Sequence, residues 1–299
     1  MKSMGHITWL ASLLVVLLAA CSSPTETERS PTATQPPPTL VLSSPARQIT
    51  NGKVDVGGYS LFLNCKGTGS PTVILDSGLD SDSNAWLTVM PRIQNVTRVC
   101  AYDRAGLGRS DAAPKTPRTS MDMVTDLHNL LNNAHLDGVY VLVGASIARF
   151  NVRLYASEYP QEVVGVVLVD SSHPDQMARF LAALPPESSD ESDELQELRR
   201  SISERIESIE GIDIEASAEQ VRASGSLGDI PLVVLTAGAE AVTETETRLD
   251  AVWLEMQEEL AGLSTNSNHV VVPNANHCIQ CDAPDVVADA ILDVVNATR

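Results

Sequence analysis

Val141-Leu142-Val143-Gly144-Ala145-Ser146-Ile147-Ala148 joins a short apolar run to a segment, Phe150, Leu154 and Tyr155, that repeats with helical spacing. An apolar run of this length, without polar alternation, reads as a strand buried on both faces. A strand that passes through Gly144 and Ser146 straight into a helix must make a tight turn, and such a turn lifts the serine hydroxyl clear of the sheet. Small residues belong two before and two after that serine, because backbone approaches closely there. Gly144 meets the need fully. Ala148 meets it in part, giving G-x-S-x-A where G-x-S-x-G is usual, and Arg149 stands where a small residue is also usual. The turn predicts Ser146 as a nucleophile.

Working outward, more runs of the same kind appear. Thr72 to Leu75, Arg98 to Tyr102, Val139 to Val143 and Val163 to Val169 read as buried strands, followed late in the chain by Pro231 to Thr236 and His269 to Val272. Val54 to Val56 and Tyr59 to Asn64 flank Gly57-Gly58, a pair suited to a hairpin turn. Between the strands, Trp86, Val89, Met90 and Ile93 share a helical face, as do Val124, Leu127, Leu130 and Leu131, and then Val286, Val287, Ala290, Ile291, Val294 and Val295. Strands alternating with helices predict an α/β fold, a mostly parallel sheet covered on both faces with an antiparallel hairpin at one edge. From Ser171 to Asp229 the rhythm breaks. Leu195, Leu198, Ile202, Ile206 and Ile209 form one amphipathic helical pattern after an acidic, serine-rich run. An insertion here lies over the carboxyl ends of the strands, where open α/β sheets bind ligands, and is read as a helical lid over 171–229.

A serine nucleophile needs a base, and the base an orienting acid. His277, just past the last predicted strand, fits the chain order Ser…Asp/Glu…His. His128, His135, His173 and His269 occupy a helix, a turn, the lid-like loop and a strand start. Two acids compete: Asp170 ends the strand next to the Ser146 strand, and Glu240 follows the next strand; Asp170 is preferred because it ends its strand directly. The oxyanion hole needs two amide donors. Ile147, after the nucleophile, supplies one, and Leu79 in Asp76-Ser77-Gly78-Leu79-Asp80 is the candidate for the other. This chemistry requires no cofactor and no metal.

The N-terminus reads as a processing segment. Lys2, the apolar run Leu10 to Ala20 and Leu18-Ala19-Ala20-Cys21 resemble a lipoprotein signal peptide over 1–20, with Cys21 as the lipidated residue. Residues 21–47, rich in Ser, Thr and Pro, read as a disordered tether, and 48–299 as the globular domain. The expected location is therefore exported and held at the membrane through the lipid anchor. With Lys+Arg 20 against Asp+Glu 39, the net charge of −19 excludes nucleic acid as a partner. Hydrophobic residues make up 43 % but aromatic residues only 4 %, so the core rests on aliphatic side chains. Cys65, Cys100, Cys278 and Cys281 allow two disulfides in three connectivities. Cys278-x-x-Cys281 lacks a second C-x-x-C and a histidine cluster to complete a zinc site, which favours a local disulfide. A Cys65–Cys100 bridge would require their strands to be neighbours.

From Gly52 to Ala297 the chain resembles the α/β-hydrolase superfamily, near its secreted bacterial esterase and lipase-like members. Tyr102-Asp103-Arg104-Ala105-Gly106-Leu107-Gly108-Arg109-Ser110-Asp111 is similar to the D-x-x-G-x-G-x-S turn after the superfamily's fourth strand, and Asn151 to Ala156 and Val169 to Asp175 are similar as well. The resemblance implies an eight-stranded sheet with Tyr59 to Asn64 beside Arg98 to Tyr102, which supports the Cys65–Cys100 pairing. It departs from the superfamily at Ala145, where His is common, at Ala148 and at Arg149. The activity it implies is hydrolysis of a small-molecule carboxylic ester through an acyl-enzyme. The alternatives are a weak or inactive binding lipoprotein of the same fold, and peptide, lactone or perhydrolase chemistry on the same three residues.

Overall fold

The computed structural model describes residues 48–136, 138–204, 207–238 and 240–299; the signal peptide, Cys21 and the tether lie outside them. The apolar runs form strands β1 (Asn51–Asp55), β2 (Ser60–Lys66), β3 (Thr72–Asp76), β4 (Val99–Asp103), β5 (Tyr140–Ala145), β6 (Val163–Val169), β7 (Leu232–Gly238) and β8 (Ser267–Pro273). They pair in the order β1-β2-β4-β3-β5-β6-β7-β8. β1 and β2 run antiparallel, and every pairing from β4 to β8 is parallel. The helices are α1 (Met90–Ile93), α2 (Ser120–Asn133), α3 (Ala148–Glu158), α4 (Gln176–Ala183), α5 (Asp193–Ser203), α6 (Ile214–Ala223), α7 (Glu244–Ala261), α8 (Ile279–Asp282) and α9 (Pro284–Ala297).

Side chains alternate across a strand, so a run apolar at every position must be covered twice. Val141, Val143, Val167 and Val169 pack with Trp86, Ile93, Val287, Ile291 and Val294 on one face. Tyr140, Leu142, Val166 and Leu168 pack with Leu127, Leu130, Phe150 and Leu154 on the other. The sheet is thus the middle of three layers, as the alternating pattern predicts. At the hairpin tip Gly57 and Gly58 take positive φ (130° and 99°), and the Val56 amide donates to Tyr59 O at 2.8 Å.

The turn after β4 explains its own spacing. Asp103 accepts from the Ser83 and Arg109 amides at 2.9 and 2.8 Å, and Ser110 Oγ accepts from the Phe62 amide at 2.8 Å. Gly108 has φ 51°, and a Cβ there would fall 2.4 Å from Asp103 Oδ2, so glycine is required.

Two expectations need correction. Trp86 to Ile93 is not one helix: a 3-10 turn, Ser83–Trp86, precedes α1, because Pro91 has no N–H to continue a ladder and sits in the first turn of a new helix. All four apolar residues are nevertheless buried. The pattern Leu195 to Ile209 likewise does not form one helix. α5 ends at Ser203, Ile206 lies outside the described residues, and Ile209 is exposed in the turn that delivers Glu210 to the buried Arg104. The insertion between β6 and β7 therefore contains α4, α5 and α6.

Cys65 lies opposite Cys100 in the β2–β4 register and is bonded to it; Cys278 is bonded to Cys281 at the start of α8. The first bridge closes a separation of 35 residues. On loop entropy alone, the double substitution Cys65→Ala, Cys100→Ala should lower the unfolding free energy by about 3–4 kcal/mol. Urea titration reads this as a lower midpoint; an unchanged midpoint would show that the bridge does not form.

Candidate active site

β5 runs into Ser146 at the centre of the sheet. Ser146 has φ 54°, in the left-handed region, and its amide is held by Val169 O at 3.0 Å. The strained turn is fixed by packing at Gly144, where an added Cβ would lie 2.9 Å from Val152 Cγ2 and 3.0 Å from the Arg149 nitrogen. Helix α3 can leave the strand this closely only because Gly144 has no side chain. Ala148 is fully buried in the same contact.

Arg149 does not obstruct the serine. Its buried guanidinium turns to the segment after β6, donating from Nη1 to Ser172 O at 2.8 Å. Burial and then neighbouring Arg153 lower its pKa to about 9, which leaves it a cation at neutral pH. Among the described residues its Nε and Nη2 have no hydrogen-bond partner.

His277 follows β8. Its Nε2 lies 3.0 Å from Ser146 Oγ and its Nδ1 2.6 Å from Asp170 Oδ2. Asp170 is buried, with φ 40°, and its other oxygen accepts from the Ala237 amide at 2.9 Å and from Trp253 Nε1 at 3.0 Å. The hydrogen bond and charge of Asp170 raise the His277 pKa above its ordinary 6.5, although the side chain is 61 % exposed. Of the two competing acids, the structure thus brings Asp170 to the histidine. Glu240 is exposed on the rim of a cavity that His277 and Asp170 also line, and makes no hydrogen bond to His277 among the described residues. It lies past the end of β7, whereas the β6 terminus aims Asp170 inward.

Leu79 and Ile147 both line a cavity of about 280 Å³ with Ser146, Phe150, Met177 and Ile214. A Cβ at Gly78 would come within 3.4 Å of Ser146 Cβ, which measures how closely the loop after β3 approaches the serine. Among the described residues neither the Leu79 nor the Ile147 amide has an acceptor. His173 lines the same cavity, but burial first, then Arg149, lowers its pKa to about 4, and Glu259 holds its Nε2 at 3.2 Å. The arrangement can pass a proton from a hydroxyl to a ring oriented by a carboxylate, beside two free amide donors.

Sequence reasoning missed two groups. Trp253 lies on α7 and nothing in its neighbours marks it as a partner of Asp170. Arg104 stands inside the quoted turn after β4, yet no spacing rule ties it to Glu210, 106 residues away.

Residues 71–200 match the sequence profile of the alpha/beta hydrolase fold family. The chain is 28 % identical over 232 residues to the uncharacterized protein YqjL of Bacillus subtilis, covering 77 % of this chain and 85 % of that one. It is 24 % identical over 275 residues to 2-(acetamidomethylene)succinate hydrolase of Mesorhizobium japonicum, covering 82 % and 95 %. Among solved structures, it is similar to a thermophilic esterase from Thermogutta terrifontis, with a TM-score of 0.59 and 21 % identity over 84 % of this chain and 99 % of that one. The sheet order, the turn at Ser146 and these likenesses agree: the chain has the α/β-hydrolase fold.

Proposed function

We propose that this protein is a serine hydrolase that cleaves small carboxylic esters through an acyl-enzyme. The observation that carries the reading is the continuous hydrogen-bonded path from Ser146 Oγ through His277 to Asp170. His277 Nε2 takes the Ser146 proton as Oγ adds to the ester carbonyl. The charge developing on the carbonyl oxygen is met by the Leu79 and Ile147 amides, which cost no reorganisation because the backbone already holds them. Collapse breaks the C–O bond, and the alcohol leaves with the proton from His277. Water, deprotonated by the same ring, then adds to the acyl carbonyl; collapse releases the acid and restores the serine. Throughout, Asp170 keeps the ring in one orientation and stabilises its charged form. The cavity of about 280 Å³ suits a small acyl group.

The named esterase and the succinate-derivative hydrolase support hydrolytic chemistry on a small molecule. The site and the proposed export are compatible, since the two disulfides belong in an oxidising compartment. We further propose that Cys21 carries the lipid that holds the domain at the membrane. Cys21→Ala should then move the protein from the membrane fraction to the soluble fraction in a detergent-free fractionation, and retention would count against the anchor.

Three substitutions test the mechanism against a panel of p-nitrophenyl esters and a fluorophosphonate probe. Ser146→Ala should abolish both labelling and turnover. Asp170→Asn should lower kcat by about 10⁴, the scale seen when a triad acid loses its charge. Glu240→Gln should stay within about threefold of wild type, as a surface change should. A folded wild type that neither labels nor turns over would sink the proposal, and a loss confined to Glu240→Gln would move the acid.

The base must be neutral to accept a proton, so activity rises as pH passes the His277 pKa. Because Asp170 raises that pKa, the acid limb of kcat/KM should have its midpoint above 6.5, and the residual activity of Asp170→Asn should show it shifted down. A midpoint that does not move between the two proteins would mean that Asp170 does not act on the ring in solution.

A further inference from the structure

The loop that carries Leu79 is gripped from beneath by one buried arginine. Arg104 Nη2 donates to Gly78 O at 2.7 Å, and Nη1 donates to Ser77 O and to Asp76 Oδ1 at 2.6 Å. Its remaining capacity goes to the insertion: Nε and Nη2 bind both oxygens of Glu210 at 2.6 and 2.7 Å. Glu210 in turn accepts from the Asp80 amide at 3.1 Å, and Asp80 Oδ1 accepts from the Ile209 amide at 2.8 Å. Asp76 is held from the other side by Asn151 of α3 at 2.9 Å, so the network also reaches the helix that begins beside Ser146.

Gly78 O and the Leu79 N–H belong to the same peptide unit, which is planar and trans. They point in opposite directions, so a bond that fixes one fixes the other. With Arg104 holding Gly78 O, and Asp80 tied down immediately after, the Leu79 N–H has little freedom to rotate. Among the described residues it has no internal acceptor, and Leu79 lines the cavity that contains Ser146. A cation on the carbonyl also polarises the peptide and strengthens its N–H as a donor.

We propose that Arg104 is a positioning residue for the Leu79 oxyanion donor, and that Glu210 makes that donor depend on docking of the insertion between β6 and β7. The proposal rests on the serine hydrolase reading given above. Its consequence is specific: the network should favour the tetrahedral transition state and leave ground-state binding almost untouched. Lysine cannot replace the arginine, because a point charge does not span two backbone carbonyls and two carboxylates in one plane.

The test compares wild type, Arg104→Lys, Glu210→Ala and Ser146→Ala on a p-nitrophenyl ester, with a boronic acid as the tetrahedral analogue and thermal unfolding as the check on folding. The first two variants should lose about 10- to 100-fold in kcat, less than or equal to the cost of removing an oxyanion donor outright. KM should stay within about threefold, and boronate affinity should fall by the same factor as kcat. A merely structural role would lower the melting temperature without that parallel. If the buried pair tolerates no change, Asp80→Gly, which suits the φ of 53° there, releases the loop from Ile209 and should show the same parallel loss to a smaller degree. Variants within threefold of wild type in kcat, or losses carried by KM with boronate affinity kept, overturn the inference while Ser146→Ala leaves the hydrolase reading standing. Failure of the folded wild type to turn over any ester removes that reading, and this inference with it.

Discussion

Everything at the site depends on how closely α3 approaches β5. At Gly144 no Cβ can be accommodated against Val152 and the Arg149 backbone, and this close contact forces the chain to reverse within one residue. Ser146 absorbs the reversal in a left-handed conformation that a non-glycine residue adopts only when its surroundings over-determine it. Here they do: Val169 O holds the serine amide, and the Ser146 carbonyl accepts from the Ser172 amide at 3.1 Å. The turn is thus stitched to the end of β6, the strand that delivers Asp170. Ser146 and Asp170 share one rigid support.

The sheet was legible because its chemistry is local. Runs such as Val163 to Val169 have only one comfortable place, a strand covered on both sides, and the alternation with helices implied a mostly parallel sheet, while the neighbouring of β2 and β4 came only from the resemblance. The residues around Ser146 and His277 were legible for a related reason: each sits at a strand end, where a short stretch of sequence contains both the geometry and the reacting group. Choosing Asp170 over Glu240 was harder, since both follow strands; what separates them is the inward aim of the β6 terminus, a tertiary fact. Trp253 and Glu210 were not legible at all. Their partners lie 83 and 106 residues away, and a solitary tryptophan or glutamate on an amphipathic segment has the same sequence signature whether it meets water or a buried partner.

Arg149 shows how a departure from pattern can be mistaken for a defect. In sequence it crowds a turn that usually has small residues. In space its side chain is withdrawn into the interior and fastened to Ser172 O, so its bulk contributes to the seam between α3 and the segment after β6. A buried cation with two nitrogens unmatched among the described residues is costly in a folded protein. That it is buried here and not on the surface, in a chain of net charge −19, puts the cost at the seam that orients the site.

The three groups of the proton path come from strand ends in the order Ser146, Asp170 and His277, and the histidine arrives from beyond β8, with α9 still to pack. A nascent chain therefore carries its hydroxyl and carboxylate before it has a base, His277 following Asp170 by 107 residues. Until His277 is made, Ser146 remains an ordinary alcohol with no base beside it. The pairing of Ser146 with His277 waits until β8 has joined the sheet edge, so the fold itself sets when that contact can form.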